Sequence, residues 1–150
     1  MAMIMLMKMP RRGWKDKIMA TDALIAFQAS VTKTATFNGA ALILLGGTPR
    51  RGLVCRVIYS AAQQASGSGV WAFSVDVCYD GVPTLWNSIA FAPAVITLTA
   101  SAQSGEIFIP FSISPTSVVN GTQVRLTATL SGSPTTPTIT YQGDIELARP

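Results

Sequence analysis

Histidine is absent from the 150 residues, and cysteine occurs only twice, as Cys55 and Cys78. The missing histidine removes the commonest general base and metal ligand, so Ser-His-Asp, Cys-His and histidine-based zinc sites cannot be built. Two cysteines are too few for the disulfide framework of a small secreted domain. Charge is also scarce, at 12% of residues, and seven carboxylates are all that acid–base or metal chemistry could draw on. No apolar run reaches the roughly 18–20 residues that span a bilayer. The glycine turns at Gly46-Gly47 and Gly67/Gly69 lack a following helix and a phosphate-binding lysine, which excludes the nucleotide-binding loops. What is present is apolar: 49% of the chain, too much for a disordered protein. A single domain of this length buries roughly 70% of its unfolded surface.

The net charge of +4 is unevenly placed. Lys8, Arg11, Arg12, Lys15 and Lys17 stand against Asp16 alone, while the six cations and six carboxylates of residues 18–150 cancel. Residues 1–21 therefore read as an extended basic N-terminal arm, and residues 22–150 as a neutral domain. Apolar residues precede the basic ones and Pro10 interrupts, the reverse of a secretory signal. Met1, Met3, Met5, Met7 and Met9 fall on one face of an extended strand, and unbranched methionines adapt to irregular apolar grooves. One expectation is an arm that lays its methionines on a partner and sets its cations against acidic groups. The other is an upstream extension of the reading frame, with Met19 as the start.

Period-2 alternation dominates the rest, as in antiparallel strands with one buried face. Trp71, Phe73, Val75, Val77 and Tyr79 oppose Ala72, Ser74, Asp76 and Cys78. Ile107, Ile109, Phe111 and Ile113 oppose Glu106, Phe108 and Ser112. Residues 122–130 and 138–147 alternate likewise, 53–60 and 85–91 are strand-like, and weaker candidates lie at 23–29, 32–37, 41–45 and 95–99. Turns such as Asp80-Gly81, Asn120-Gly121 and Ser131-Gly132-Ser133-Pro134 separate them. The pattern predicts an all-β fold, an antiparallel two-sheet β-sandwich of jelly-roll type.

Few residues suggest chemistry. If 53–60 and 70–79 form a hairpin, Cys55 and Cys78 point to opposite sides and cannot reach disulfide distance. Asp76 reads as solvated and Asp80 as a turn former, and no pair of carboxylates is spaced for glycoside hydrolysis. Trp71, Trp86, Tyr59, Tyr79 and Tyr141 could form a sugar-stacking platform, but all except Trp86 fall on the expected core face. Arg56 and Arg125 alternate out of the core, to be solvated, paired with carboxylates or paired across a subunit interface. The neutral domain lacks the basic stripe of a nucleic-acid binder. No catalytic residue, cofactor, metal site or membrane contact is expected.

From Gly46 onward the chain resembles the cement, or decoration, proteins of tailed-bacteriophage capsids. The stretches concerned are GTPRRGLVCRVIYS at 47–60, WAFSVDVCYDGVPTLWNSIA at 71–90 and VRLTATLSGSPTTPTITYQGDIEL at 124–147. Gly47, Thr48, Pro49, Gly52, Leu53, Asp80, Gly81, Trp86, Val124 and Arg125 occupy the positions of that family's pattern. Residues 80–86 are longer than the family's turn, its basic-aromatic cluster before the Val-Arg strand is absent, and residues 1–21 have no counterpart. The resemblance implies a structural virion protein, a homotrimer of jelly-roll subunits on the capsid exterior, with the major capsid protein as partner. Met3, Met5, Met7, Lys8, Arg11, Arg12, Trp14, Lys15 and Lys17 are then the candidates for the capsid or subunit interface. The alternative is a carbohydrate- or receptor-binding β-sandwich module.

Overall fold

A computed structural model describes residues 25–43, 52–79, 85–90, 92–113 and 122–147. Ten strands follow one another in these segments, and they contain no helix. They are β1 (Ile25–Lys33), β2 (Phe37–Asn38), β3 (Leu42–Ile43), β4 (Leu53–Gln63) and β5 (Gly69–Cys78), then β6 (Asn87–Ser88), β7 (Ala94–Thr97), β8 (Gln103–Phe111), β9 (Gln123–Gly132) and β10 (Thr138–Leu147). One sheet has the order β1-β10-β4-β8. The other centres on β9 and β5, with the short β2 and β3 along one side and β6 and β7 along the other. All pairings are antiparallel. If β2/β3 and β6/β7 each count as one broken edge strand, this is the eight-strand order of a jelly roll. The expected two-sheet sandwich is thus the fold.

Alternation along each strand decides which side chains enter the core. Trp71, Phe73, Val75 and Val77 of β5 and Val124, Leu126 and Ala128 of β9 are fully buried from one sheet. Cys55 and Val57 of β4, Ile109 and Phe111 of β8, and Ile139 and Tyr141 of β10 meet them from the other. The Phe73 and Tyr141 rings touch edge to face across the layers, 5.0 Å between centroids, the geometry that aromatic quadrupoles favour. Gly143 sits in the inward row of β10, where a Cβ would come within 2.7 Å of Leu126 Cδ2. The missing side chain lets Leu126 press against the facing sheet.

The expected hairpin between 53–60 and 70–79 does not form. β4 lies between β10 and β8, and β5 belongs to the opposite sheet, so the serine-glycine loop crosses from one layer to the other. Gln64 anchors that crossing: its Nε2 donates to the carbonyls of Gly67 and Leu98, and its Oε1 accepts from Gly69 N–H at 2.8 Å. Cys55 and Cys78 are both buried and form no disulfide. Cys55 faces the core, whereas Cys78 belongs to the outward row of β5.

Candidate functional site

The polar cluster with the most internal order lies on the outer face of the six-stranded sheet. Cross-strand register aligns Ser88 of β6, Asp76 of β5 and Arg125 of β9 in one row, with Ser74 and Thr127 opposite each other in the next. Paired residues share a face, so all five project away from the core. Asp76 is the centre. Thr127 Oγ1 donates to its Oδ2 at 2.6 Å, Arg125 reaches the same oxygen from Nε and Nη2 at 3.4 Å, and Ser74 Oγ donates to Oδ1 at 3.3 Å. Only 9% of Asp76 is exposed. The expectation of a solvated Asp76 is therefore corrected: a buried carboxylate needs donors, and the neighbouring β9 and its own strand β5 supply them.

Trp86 completes the arrangement. Its half-buried ring lies over the Arg125 guanidinium, 4.2 Å from centroid to Cζ, a cation–π stack that also shields the Arg125–Asp76 pair. Arg125 is thus held between an indole and a carboxylate, with exposed Ser88 of β6 in the same row. Of the five aromatics considered for a platform, Trp71 and Tyr141 are core residues. Tyr59 and Tyr79 are half-buried against the core. Trp86 is the member that stands on an outer face.

The other sheet presents different chemistry. On its outer face Arg56 is ion-paired with Glu106 and lies 3.7 Å from Glu146. Its acidity is weakened by the Glu106 hydrogen bond, against a smaller opposing effect of burial, with Glu106, Glu146 and Asp144 adding attraction. Arg56 and Arg125, which alternate out of the core in the sequence, are both paired with carboxylates, as one of the expectations held. Phe108 stands 57% exposed nearby. Burial, with the negative charge of Asp144, pushes the Cys55 thiol up to about 12, so it carries no thiolate near neutrality. Among the described residues no three of Asp, Glu and Cys gather as metal ligands.

The positions of the family pattern divide in three. Gly47, Thr48, Pro49, Asp80 and Gly81 lie outside the described residues, as do all nine interface candidates: Met3, Met5, Met7, Lys8, Arg11, Arg12, Trp14, Lys15 and Lys17. Gly52, Leu53 and Val124 serve the fold: Gly52 has φ +65° at the entry to β4, and the two apolar residues are buried in the core. Trp86 and Arg125 come together with Asp76 in the polar cluster.

No protein-family model and no curated protein sequence matches the chain. Several solved structures are similar in fold. A family-22 xylan-binding domain of Paenibacillus barcinonensis Xyn10C is 15% identical, with 85% of this chain and 80% of that one covered and a TM-score of 0.47. The C-terminal family-22 carbohydrate-binding module of Clostridium thermocellum Xyn10B is 15% identical over 83% of this chain and 79% of that one, at 0.45. A family-4 carbohydrate-binding module is 15% identical over 75% of this chain, at 0.40, and the chain spans 60% of its length. These are carbohydrate-binding modules, not capsid proteins, and they overturn the expectation of capsid decoration. That expectation rested on turns and on core positions such as Leu53 and Val124, which any sandwich of this topology requires.

Proposed function

We propose that the chain is a non-catalytic carbohydrate-binding β-sandwich module whose ligand lies across Trp86 on the outer face of the six-stranded sheet. The observation that carries this reading is the Trp86–Arg125–Asp76 stack. A sugar ring has an apolar C–H face and a rim of hydroxyls. The first packs on an aromatic ring, and the second needs convergent donors and acceptors held in place beforehand. Asp76, fixed by Thr127, Ser74 and Arg125, supplies such order, and the exposed Ser88 extends the polar rim. The described carboxylates also support binding without hydrolysis. Glu106, Asp144 and Glu146 belong to the outward rows of the other sheet, on the far side of the core from Asp76, so none of them can act with it across one glycosidic bond.

Calorimetric titration with a panel of soluble neutral oligosaccharides, xylohexaose and cellohexaose among them, tests the proposal. At least one member is expected to bind, and Trp86→Ala is expected to weaken it at least tenfold, about 1.4 kcal/mol, with the unfolding midpoint little changed. An affinity that Trp86→Ala leaves intact would place the ligand elsewhere.

A further inference from the structure

The four-stranded sheet ends in two unlike edges. Along β1 the register with β10 shifts twice, between Ala26 and Gln28 and between Gln28 and Val31, and Lys33 closes the strand. Bulges and a lysine discourage a further strand from pairing. β8 has neither a lysine nor an arginine, and Gly105 to Phe111 pair with β4 in unbroken register. Among the described residues no strand pairs with its outer side, and an isolated bridge between Phe111 and Ala90 bounds the open stretch at its C-terminal end. Pro110 has no N–H, and within a ladder proline sits where the missing donor faces outward. By alternation, Glu106 and Phe108 then turn their backbone N–H and C=O groups to the open side. Phe108 is exposed on the outer face of the sheet, and Ile107 is only half-buried on the inner one. Such an edge is a template for one more strand.

We propose that the strand it takes is β8 of a second copy of this chain, paired antiparallel about a two-fold axis through Ile107. β8 is complementary to itself in that register and poorly so in the neighbouring ones. Two copies in one sheet pair residues of the same face, so the axis passes through a residue rather than between two. Centred on Glu106, it would set two carboxylates directly opposite each other, which is destabilising. Centred on Phe108, it would set Glu106 against Pro110, whose missing N–H leaves the Glu106 carbonyl without a donor in each copy. Centred on Ile107, the middle residue of Gln103–Phe111, it sets Glu106 of each copy opposite Phe108 of the other. Each N–H of these two residues then finds a carbonyl across the axis. Charge fits as well. Phe108 pairs with Arg56 of β4, so its ring stands in one row between that guanidinium and Glu106 of the second copy. On the inner face the two half-buried Ile107 side chains meet at the axis and lose their remaining water. One continuous sheet results, with both six-stranded sheets on the same side of it. This pairing does not rest on the sugar-binding proposal.

Sedimentation equilibrium of the full chain, from about 10 μM to about 1 mM, tests it. Two edge strands make a small interface, so a weak, reversible monomer–dimer equilibrium is expected. Phe108→Glu puts a carboxylate opposite Glu106 on both sides of the axis and is expected to weaken the dimer at least tenfold. Phe108 is exposed in the single chain, so the unfolding midpoint in dilute solution should change little. Ile107→Cys brings two thiols together at a non-hydrogen-bonded pair, where Cα atoms approach to about 4.5 Å. Mild oxidation of that variant should give a disulfide-linked dimer. A chain that stays monomeric throughout would overturn the proposal, as would a dimer that Phe108→Glu leaves intact or that Ile107→Cys fails to cross-link.

Discussion

Alanine at position 71 is expected to cost the fold about 3–5 kcal/mol, the range for removing a large buried aromatic. Trp71 is fully buried. It sits in the middle of its sheet, paired with Leu130 of β9 on one side and Ile96 of β7 on the other. Truncation would leave a void between two layers whose strands are tied along their full length and cannot collapse into it. Total stabilities of domains this size are about 5–15 kcal/mol, so the variant should stand close to unfolding at room temperature. Its indole N–H finds no acceptor among the described residues. Trp71→Phe gives up volume but also that unpaired donor, and it should lose less than half as much as alanine. Urea unfolding of the two variants measures both effects. A loss below about 1.5 kcal/mol for alanine would mean that the site collapses, against the rigid sandwich described above.

Alkaline pH should be the second strong lever on stability. Burial pushes the Cys55 thiol from 9.0 to about 12 and the Tyr141 phenol from 10.0 to about 12. Both groups are kept protonated by folding, while the unfolded chain releases the protons near the ordinary values. Below pH 9 the two states hold the same protons and the contribution is intact. As pH rises from 9 to 12 the unfolded state is progressively favoured, by about 4 kcal/mol through the thiol alone. Denaturant unfolding at pH 7, 9, 10 and 11 should show stability falling first with Cys55 and then with Tyr141. Cys55→Val keeps the apolar volume and removes the thiol, so it should flatten the fall between pH 9 and 10. An equal fall in both proteins would show that other groups control the alkaline limb.

Much of this architecture was legible in the sequence because antiparallel sheets with one wet face write it in period 2. β5, β8, β9 and β10 all follow the alternation, and their inward rows are the core. β1 was legible only in pieces, 23–29 and 32–37, since its two register shifts break the period. β2, β3 and β6 are two residues each, too short to alternate. Alternation also names a face without naming a sheet. Nothing in residues 53–79 says that the chain crosses layers at Gln64, so the expected hairpin was the local solution rather than the actual one. The candidate site was half visible. Trp86 and Arg125 stand out as pattern residues, with Arg125 on an outward position, but Asp76 reads as solvated. Its donors, Arg125 and Thr127, lie 49 and 51 residues away, and only strand order brings them beside it. The turn motifs that pointed to a capsid protein describe how a jelly roll bends, which is shared by sandwiches of unrelated use.

The proposed sugar site lies on the outer face of the six-stranded sheet. Chemical-shift mapping of the labelled chain during titration with the tightest-binding oligosaccharide of the panel tests it most directly. The largest shifts are expected on the Trp86 indole N–H and on the backbone and side chains of Asp76, Ser88 and Arg125, with residues of β4 and β10 nearly still. Binding that shifts the Arg56, Phe108 and Glu146 face instead, or a panel in which no oligosaccharide shifts any resonance, would contradict it.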